Sequence, residues 1–242
     1  MTDEKKEMPA RNARRGFVPE DMRQFTGEML EKLKRAAEDT RYLLNRGYAV
    51  KDATTFVGNH FCLSERQRMA LARSVSSDAD VENRRKKECV CREVHIDGFN
   101  IIITLEVALS HSPLLQCMDG TIRDLAGLRG TYRIIEETRT AIHLIFRGLA
   151  GKNVEKACFY LDSPVSNSGR LKTLIYDVAG DYSIDVDVVV IPDVDRTLQK
   201  MSGVVSSDAI ILNHCESYMN LLPDIVSSLE NVWLIRLDTA KS

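Results

Sequence analysis

The sequence predicts an α/β protein in which a Rossmann-like, mostly parallel, doubly wound sheet follows a small all-helical domain. Short β-branched runs alternate with helical segments over residues 91–242, the order that builds parallel sheets covered by helices on both faces. Residues 16–76 instead place apolar side chains three and four positions apart, as amphipathic helices do. Charge divides in the same way, with 20 Lys and Arg against 15 Asp and Glu in Met1–Arg92 and 13 against 20 in Glu93–Ser242. A basic front and an acidic back indicate two units with different tasks.

The overall composition is that of a globular protein. Of the 242 residues, 44% are hydrophobic and 28% are charged, and no apolar run is long enough to cross a membrane. Residues 1–15 are charged and lack the apolar segment of a signal peptide, so we expect a disordered tail. The six cysteines show no disulfide framework, which favours reduced thiols in a cytoplasmic protein. A homodimer is left open.

The helical domain is predicted over residues 16–76, with a linker at 77–90. A long amphipathic helix begins near Pro19, and a shorter one spans Val50–Val57. Ser64 then opens a further helix, and Gln67 completes a capping box. The two shorter helices have the proportions of a helix-turn-helix.

Three arginines lie on the second of these two helices: Arg66, Arg68 and Arg73. In the functional interpretation they contact the phosphate backbone of a nucleic acid. In the structural interpretation they form the solvated basic face of a small helical bundle. The sequence leaves both interpretations open.

Four aspartates follow predicted strands, each at or just beyond the carboxyl end: Asp97, Asp162, Asp195 and Asp208. Ligands of open α/β sheets bind at that edge, so we expect the four carboxylates to line one site. Crowded like charges raise one another's pKa and destabilise the fold unless a cation relieves them, and carboxylate oxygens suit Mg²⁺ or Mn²⁺. Such a site can hydrolyse a phosphodiester with the help of a metal. The alternative for each aspartate is that it only caps a helix.

Further candidates surround this predicted site. Asn100 follows Asp97 in the turn D-G-F-N and can cap the next helix, while Glu137 lies at the edge of the apolar stripe of helix 131–149 and could position a water. Polar side chains that precede the helix after Asp162 could seat an anion or could simply form a capped loop. These side chains are Ser166, Asn167, Ser168 and Arg170.

Four segments carry a resemblance to a known superfamily: I-D-G-F-N, F-Y-L-D-S, D-V-D-R-T-L and V-V-S-S-D-A-I-I-L. They resemble the PIN-like nucleases, above all the NYN branch with its D-G-x-N and late S-x-D motifs, over about Cys91–Leu237. The resemblance implies a Rossmann-like core and divalent-metal-dependent cleavage of RNA, with Asp97, Asp162, Asp195 and Asp208 in the acidic positions. The segment between Asn100 and Asp162 is longer than that core needs, and Asp193 could replace Asp195. The whole chain also resembles an uncharacterised prokaryotic family that joins a small helical domain to such a core.

We therefore expect a divalent-metal-dependent nuclease that acts on RNA rather than DNA, with a helical domain that presents the nucleic acid. Asp97 and Asp208 would hold the metal, and Asp162 and Asp195 would complete its shell. The main alternative is a non-catalytic nucleic-acid-binding or regulatory protein on the same fold. A nucleotide-binding or phosphate-transfer enzyme is a third hypothesis, but the sequence has no G-x-G-x-x-G or Walker A pattern to support it.

Overall fold

A computed structural model describes residues 14–127 and 130–237. The helices are α1 (Asp21–Gln24), α2 (Gly27–Asn45), α3 (Val50–His60), α4 (Glu65–Ser74), α5 (Asp78–Lys87), α6 (Gly98–Leu109), α7 (Glu136–Gly151), α8 (Ser168–Ala179), α9 (Val194–Leu198), α10 (Ala209–His214) and α11 (Leu222–Ser227). The strands are β1 (Glu93–Asp97), β2 (Leu114–Gln116), β3 (Ile122–Asp124), β4 (Lys156–Asp162), β5 (Asp185–Ile191), β6 (Val204–Val205) and β7 (Leu234–Arg236).

The main sheet has four parallel strands in the order β5-β4-β1-β6. From β1 the chain moves outward through β4 to β5, and it then returns to the opposite side of β1 to form β6. The strand order therefore reverses between β1 and β6, which is where doubly wound sheets open a crevice at their carboxyl ends. The predicted α/β class with a parallel sheet is confirmed.

Helices cover both faces of this sheet because side chains along its strands alternate. Phe159 and Leu161 of β4 pack into a core that includes residues of α6, α7 and α8. Tyr160, between them, points to the other face and packs with Val194 of α9 and Ile211 of α10. The sheet is thus buried on two sides, as its nearly continuous apolar strands indicate.

A second, smaller sheet has the order β3-β2-β7, in which β2 pairs antiparallel with β3 and parallel with β7. The single doubly wound sheet predicted over residues 91–242 is thus wrong for its last strand, since β7 lies in this smaller sheet. Leu115 of β2 and Ile235 of β7 are buried in one core with Leu33 and Leu71 of the helical region. The helices of residues 16–76 therefore share their core with strands from the far end of the chain.

The N-terminal helices follow the prediction with three corrections. The long helix divides into α1 and α2, and Gly27 at the start of α2 has φ +53°, a conformation that favours glycine. The predicted linker at 77–90 consists largely of helix α5, which Ser77 caps. The tail predicted for residues 1–15 lies outside the described residues except at its end, where Arg14 and Arg15 are hydrogen-bonded to the protein.

The capping prediction for α4 is confirmed. Ser64 and Gln67 form the predicted capping box at the start of α4. All six cysteines are free thiols. Within residues 14–127 and 130–237, no helix combines the length and apolar character needed to cross a membrane.

A candidate acidic site at the strand ends

A cavity of about 620 Å³ opens at the carboxyl ends of the main sheet, and we call it the acidic cavity. All four aspartates predicted from the strand ends line it: Asp97, Asp162, Asp195 and Asp208. Asp97 and Asp162 end β1 and β4, Asp195 lies in the first turn of α9, and Asp208 caps α10. The structure therefore brings together residues that lie far apart in the sequence.

Asp97 is held at the base of this cavity. It is the N-cap of α6, and one of its carboxylate oxygens accepts a hydrogen bond from the Asn100 backbone at 3.4 Å. The other oxygen accepts the Ser206 hydroxyl at 2.8 Å. Gly98 is required next to it because a Cβ atom there would lie 2.5 Å from the Leu161 side chain. The I-D-G sequence thus lets α6 begin directly against β4.

The electrostatics of the cavity favour a bound cation. Burial, together with the charges of Asp195 and Asp208, raises the pKa of Asp97 to about 7, against the effect of the Ser206 hydrogen bond. Burial, followed by neighbouring carboxylates, also raises the pKa of Asp195, and burial raises that of Asp162. These groups repel one another in a partly dry cavity, a pattern typical of functional sites.

Asn100 also lines the acidic cavity, but it does not cap α6 as the sequence suggested, since Asp97 does so. Its side-chain oxygen accepts both the backbone amide and the hydroxyl of Ser207, each at 2.9 Å. Its side-chain nitrogen donates no hydrogen bond to any described residue. Asn100 thus presents a fixed amide donor to whatever occupies the cavity.

Three further residues at the cavity come from or touch the hairpin of β2 and β3. Arg73, predicted to bind nucleic acid, lies 3.4 Å from the Asp124 carboxylate and donates to the Asp124 carbonyl at 2.5 Å. Asp124 is buried, and Thr104 donates to its carboxylate at 2.9 Å. Arg123 donates to the Ser207 carbonyl at 2.5 Å, next to Asp208. The sequence analysis did not identify Asp124 or Arg123, although the Asp119-Gly120 turn before them is a hairpin signal.

Arg66 and Arg68 have structural partners instead of an open face. The Arg66 guanidinium contacts the buried Asp21 carboxylate at 2.5 Å and donates to two backbone carbonyls. Arg68 packs over Gly58 and donates to the Leu63 carbonyl at 3.0 Å. These contacts favour the structural interpretation of both residues, and neither lines the acidic cavity.

The predicted anion seat is a structural loop. The Ser166 hydroxyl accepts the Tyr132 amide at 3.0 Å, and the Asn167 side chain donates to the Tyr132 carbonyl at 2.7 Å. Ser168 is buried and donates to the Asp162 carbonyl at 2.8 Å. These contacts fasten the segment before α7 to the sheet. Arg170 is exposed and, like the other three, does not line the acidic cavity.

Glu137 lies in the first turn of α7 and does not line the acidic cavity either. Its position therefore does not support a role in placing a water at the four aspartates. A different glutamate, Glu106 of α6, is fully buried and was not singled out from the sequence. It accepts the Tyr132 hydroxyl at 2.6 Å and pairs with Arg15, so it stabilises the core.

The oxygen ligands that line the cavity are of the type that binds a hard divalent cation. Among residues 14–127 and 130–237, no three His, Cys, Asp or Glu side chains are grouped closely enough to hold one ion together. Mg²⁺ needs fewer, because it keeps several waters and uses one or two carboxylates. Asp97 and Asp208 are the candidate pair, since their charges interact and the Ser206 hydroxyl donates to the Asp97 carboxylate and accepts the Asp208 backbone amide at 3.1 Å. The donor set fits a hydrated Mg²⁺ or Mn²⁺.

Comparisons with known proteins describe similar chains without an activity. A family model described as "Domain of unknown function (DUF5616)" matches residues 86–224, and one described as "Protein of unknown function (DUF434)" matches residues 32–87. The chain is 35% identical over 185 residues to Uncharacterized protein MJ0935 of Methanocaldococcus jannaschii, a match that covers 74% of this chain and 88% of that relative. No solved structure matches. The two family models meet at the end of α5.

Proposed function

This chain belongs to the family described as "Domain of unknown function (DUF5616)", and we propose that it is a divalent-metal-dependent phosphodiesterase that cuts nucleic acid, RNA in preference to DNA. The observation that carries the proposal is the convergence of Asp97, Asp162, Asp195 and Asp208 on one cavity with no basic side chain paired to any of the four among the described residues. Asp97 is buried and Asp162 and Asp208 are partly buried, and carboxylates that share a cavity repel one another, so their presence together favours a cation. We also propose that the core is PIN-like. The support for this is the order in which the four aspartates follow the strands.

Asp97 and Asp208 would hold Mg²⁺ or Mn²⁺, with Asp195 and Asp162 completing the shell through water. When bound, the metal would supply charge stabilisation and an activated water for hydrolysis. The Ser206 hydroxyl joins the Asp97 carboxylate to the Asp208 backbone amide, so we assign Ser206 a positioning role. The chain's own contribution is therefore a fixed set of acceptor oxygens at the strand ends.

The rim of the acidic cavity supplies donors for a phosphate. Asn100 presents an unused amide nitrogen, and Arg73 remains about one third exposed although it contacts Asp124. Guanidinium and amide donors bind phosphate oxygens well. Val50 and Ile210 are exposed apolar residues on the same rim, where they offer contact to a sugar or base. Acceptors at the base and donors at the rim suit a phosphodiester with a metal beneath it.

The experiment is cleavage of labelled RNA by the purified full chain. Single-stranded RNA, structured RNA and single-stranded DNA are incubated with Mn²⁺, with Mg²⁺ or with EDTA. We expect cleavage of RNA that needs a metal and that falls by at least about 10³-fold in the double variant Asp97→Asn, Asp208→Asn. Asp177→Asn removes a carboxylate from an exposed ion pair on α8 and is the matched control, which should keep full activity.

Absence of cleavage together with absence of Mn²⁺ binding in calorimetry would overturn the proposal. The alternative of a non-catalytic nucleic-acid-binding or regulatory protein would then stand, and affinity for RNA and DNA would be measured directly. Mn²⁺ binding without cleavage of any of the three substrates would also contradict the phosphodiesterase activity stated here.

A further inference from the structure

A second cavity of about 380 Å³ adjoins the acidic cavity, and we call it the arginine cavity. The two cavities share Ile103 and Ala126 in their walls. Four guanidinium groups line the arginine cavity: Arg14, Arg15, Arg66 and Arg133. None of the described residues that line it carries a carboxylate. A strongly basic cavity thus lies beside a strongly acidic one.

Two of these arginines build the wall. Arg66 is paired with the buried Asp21 and donates to the Gly16 carbonyl at 2.5 Å. Arg15 lies 2.9 Å from the buried Glu106 carboxylate and donates to the Arg133 carbonyl at 2.5 Å. Their charges are neutralised, and their contacts fix the N-terminal segment against the segment before α7.

The other two arginines keep their charge. Arg14 donates to the backbone carbonyls of Ser110 and His111, which bind a guanidinium without neutralising it. The exposed Arg133 side chain makes no hydrogen bond or ion pair with the part of the chain that the structure describes. A planar guanidinium presents a fork of donors that matches the oxygens of a phosphate.

We propose that the arginine cavity binds a phosphate group of the nucleic acid whose scissile phosphodiester lies in the acidic cavity. This inference rests on the proposed function and adds a route for the substrate. The strand crosses the shared wall at Ile103 and Ala126, so that one phosphate meets Arg14 and Arg133 while a neighbouring one meets the acidic cavity. The bound group is either a terminal 5′-phosphate or an internal phosphodiester, which share the same chemistry.

The test measures binding instead of cleavage, so it is independent of turnover. A short oligoribonucleotide with a 3′ fluorophore carries either a 5′-phosphate or a 5′-hydroxyl, and its affinity for the full chain is measured by fluorescence anisotropy in EDTA at several salt concentrations. Arg133→Gln removes an exposed charge that holds no contact within the described residues. Arg147→Gln is the matched control, since it removes an equally exposed arginine on α7 that lines a different cavity.

We expect Arg133→Gln to weaken binding about tenfold, the effect of one lost charge-assisted phosphate contact, and Arg147→Gln to leave it unchanged. A loss confined to the 5′-phosphorylated strand assigns the cavity to a strand end. An equal loss for both strands, with the salt dependence reduced by about one ion, assigns it to an internal phosphate. If Arg133→Gln and Arg147→Gln bind both strands as the unmodified chain does, the inference is wrong. Failure of the metal-dependent cleavage would not change this measurement, so the two proposals fail separately.

Discussion

The side chains of Asp97 and Asp119 are both buried, but the structure surrounds their charges with opposite partners. One carboxylate oxygen of Asp119 contacts two guanidiniums, those of Arg123 at 2.6 Å and of Arg84, and these partners together with Thr121 lower the pKa of Asp119 despite its burial. Asp97 has a hydroxyl and a backbone amide as partners and two other carboxylates nearby, and its pKa is raised to about 7. Burial is therefore common to the two carboxylates. What distinguishes them is that Asp119 has guanidinium partners and Asp97 has none among the described residues.

The same contrast separates the two cavities from the rest of the fold. Arg84 also donates to Asn213 at 2.7 Å and to Ser76 at 3.0 Å, so every part of that cluster is satisfied within the protein. Such a cluster fixes α5 and the β2–β3 hairpin against α10. The four aspartates of the acidic cavity and the guanidiniums of Arg14 and Arg133 in the arginine cavity form no ion pair with any described residue, and we propose that ligands neutralise them.

The largest expected effect comes from removing the charge of Asp119 from its cluster with Arg84 and Arg123. Asp119→Asn would leave Arg84 and Arg123 buried without their carboxylate, and we expect the free energy of unfolding to fall by about 3–5 kcal/mol. The measurement is urea unfolding followed by circular dichroism. Asp177→Asn, which breaks an exposed pair with Arg139, should cost no more than about 1 kcal/mol. Equal small losses in the two variants would show that the Asp119 cluster does not hold the fold together.

Asp97→Asn should instead raise the free energy of unfolding at higher pH. Because the folded pKa of Asp97 is raised, its contribution to stability is present below the unfolded pKa, close to 3.8, and is lost as the pH rises through about 7. Asparagine is neutral and can still cap α6, so in EDTA the variant should be more stable than the unmodified chain by about 2–4 kcal/mol at about pH 8. Below about pH 4 this difference should disappear.

The measurement is urea unfolding at both pH values with and without Mn²⁺. Added Mn²⁺ should stabilise the unmodified chain at the higher pH and should have much less effect on the variant. A variant that is less stable than the unmodified chain to the same extent at both pH values would show that Asp97 serves only as a helix cap.

The sequence predicts the aspartates of the acidic cavity but not which other charges are neutralised, and the reason is physical. A strand followed by an aspartate is a local signal, and the parallel sheet then brings four such signals to one edge, so Asp97 and Asp208 could be predicted. The role of Arg66 depends on Asp21, which lies 45 residues earlier, and no local pattern reveals that pairing. Asp124 belongs to a hairpin that is completed by β7 from the end of the chain. Contacts made only by tertiary folding decide which charges are neutralised.

The smallest expected effect concerns Glu137, which lies outside the acidic cavity. Glu137 lies at the edge of the apolar stripe of α7, which made it a candidate from the sequence. It does not line the acidic cavity. We therefore expect Glu137→Gln to change metal-dependent cleavage by less than about twofold, since catalytic carboxylates act on groups within hydrogen-bond reach. The measurement is the initial rate of RNA cleavage in Mn²⁺ beside the Asp97→Asn variant. A loss of about a hundredfold in Glu137→Gln would contradict this expectation and would return Glu137 to the set of candidate catalytic residues.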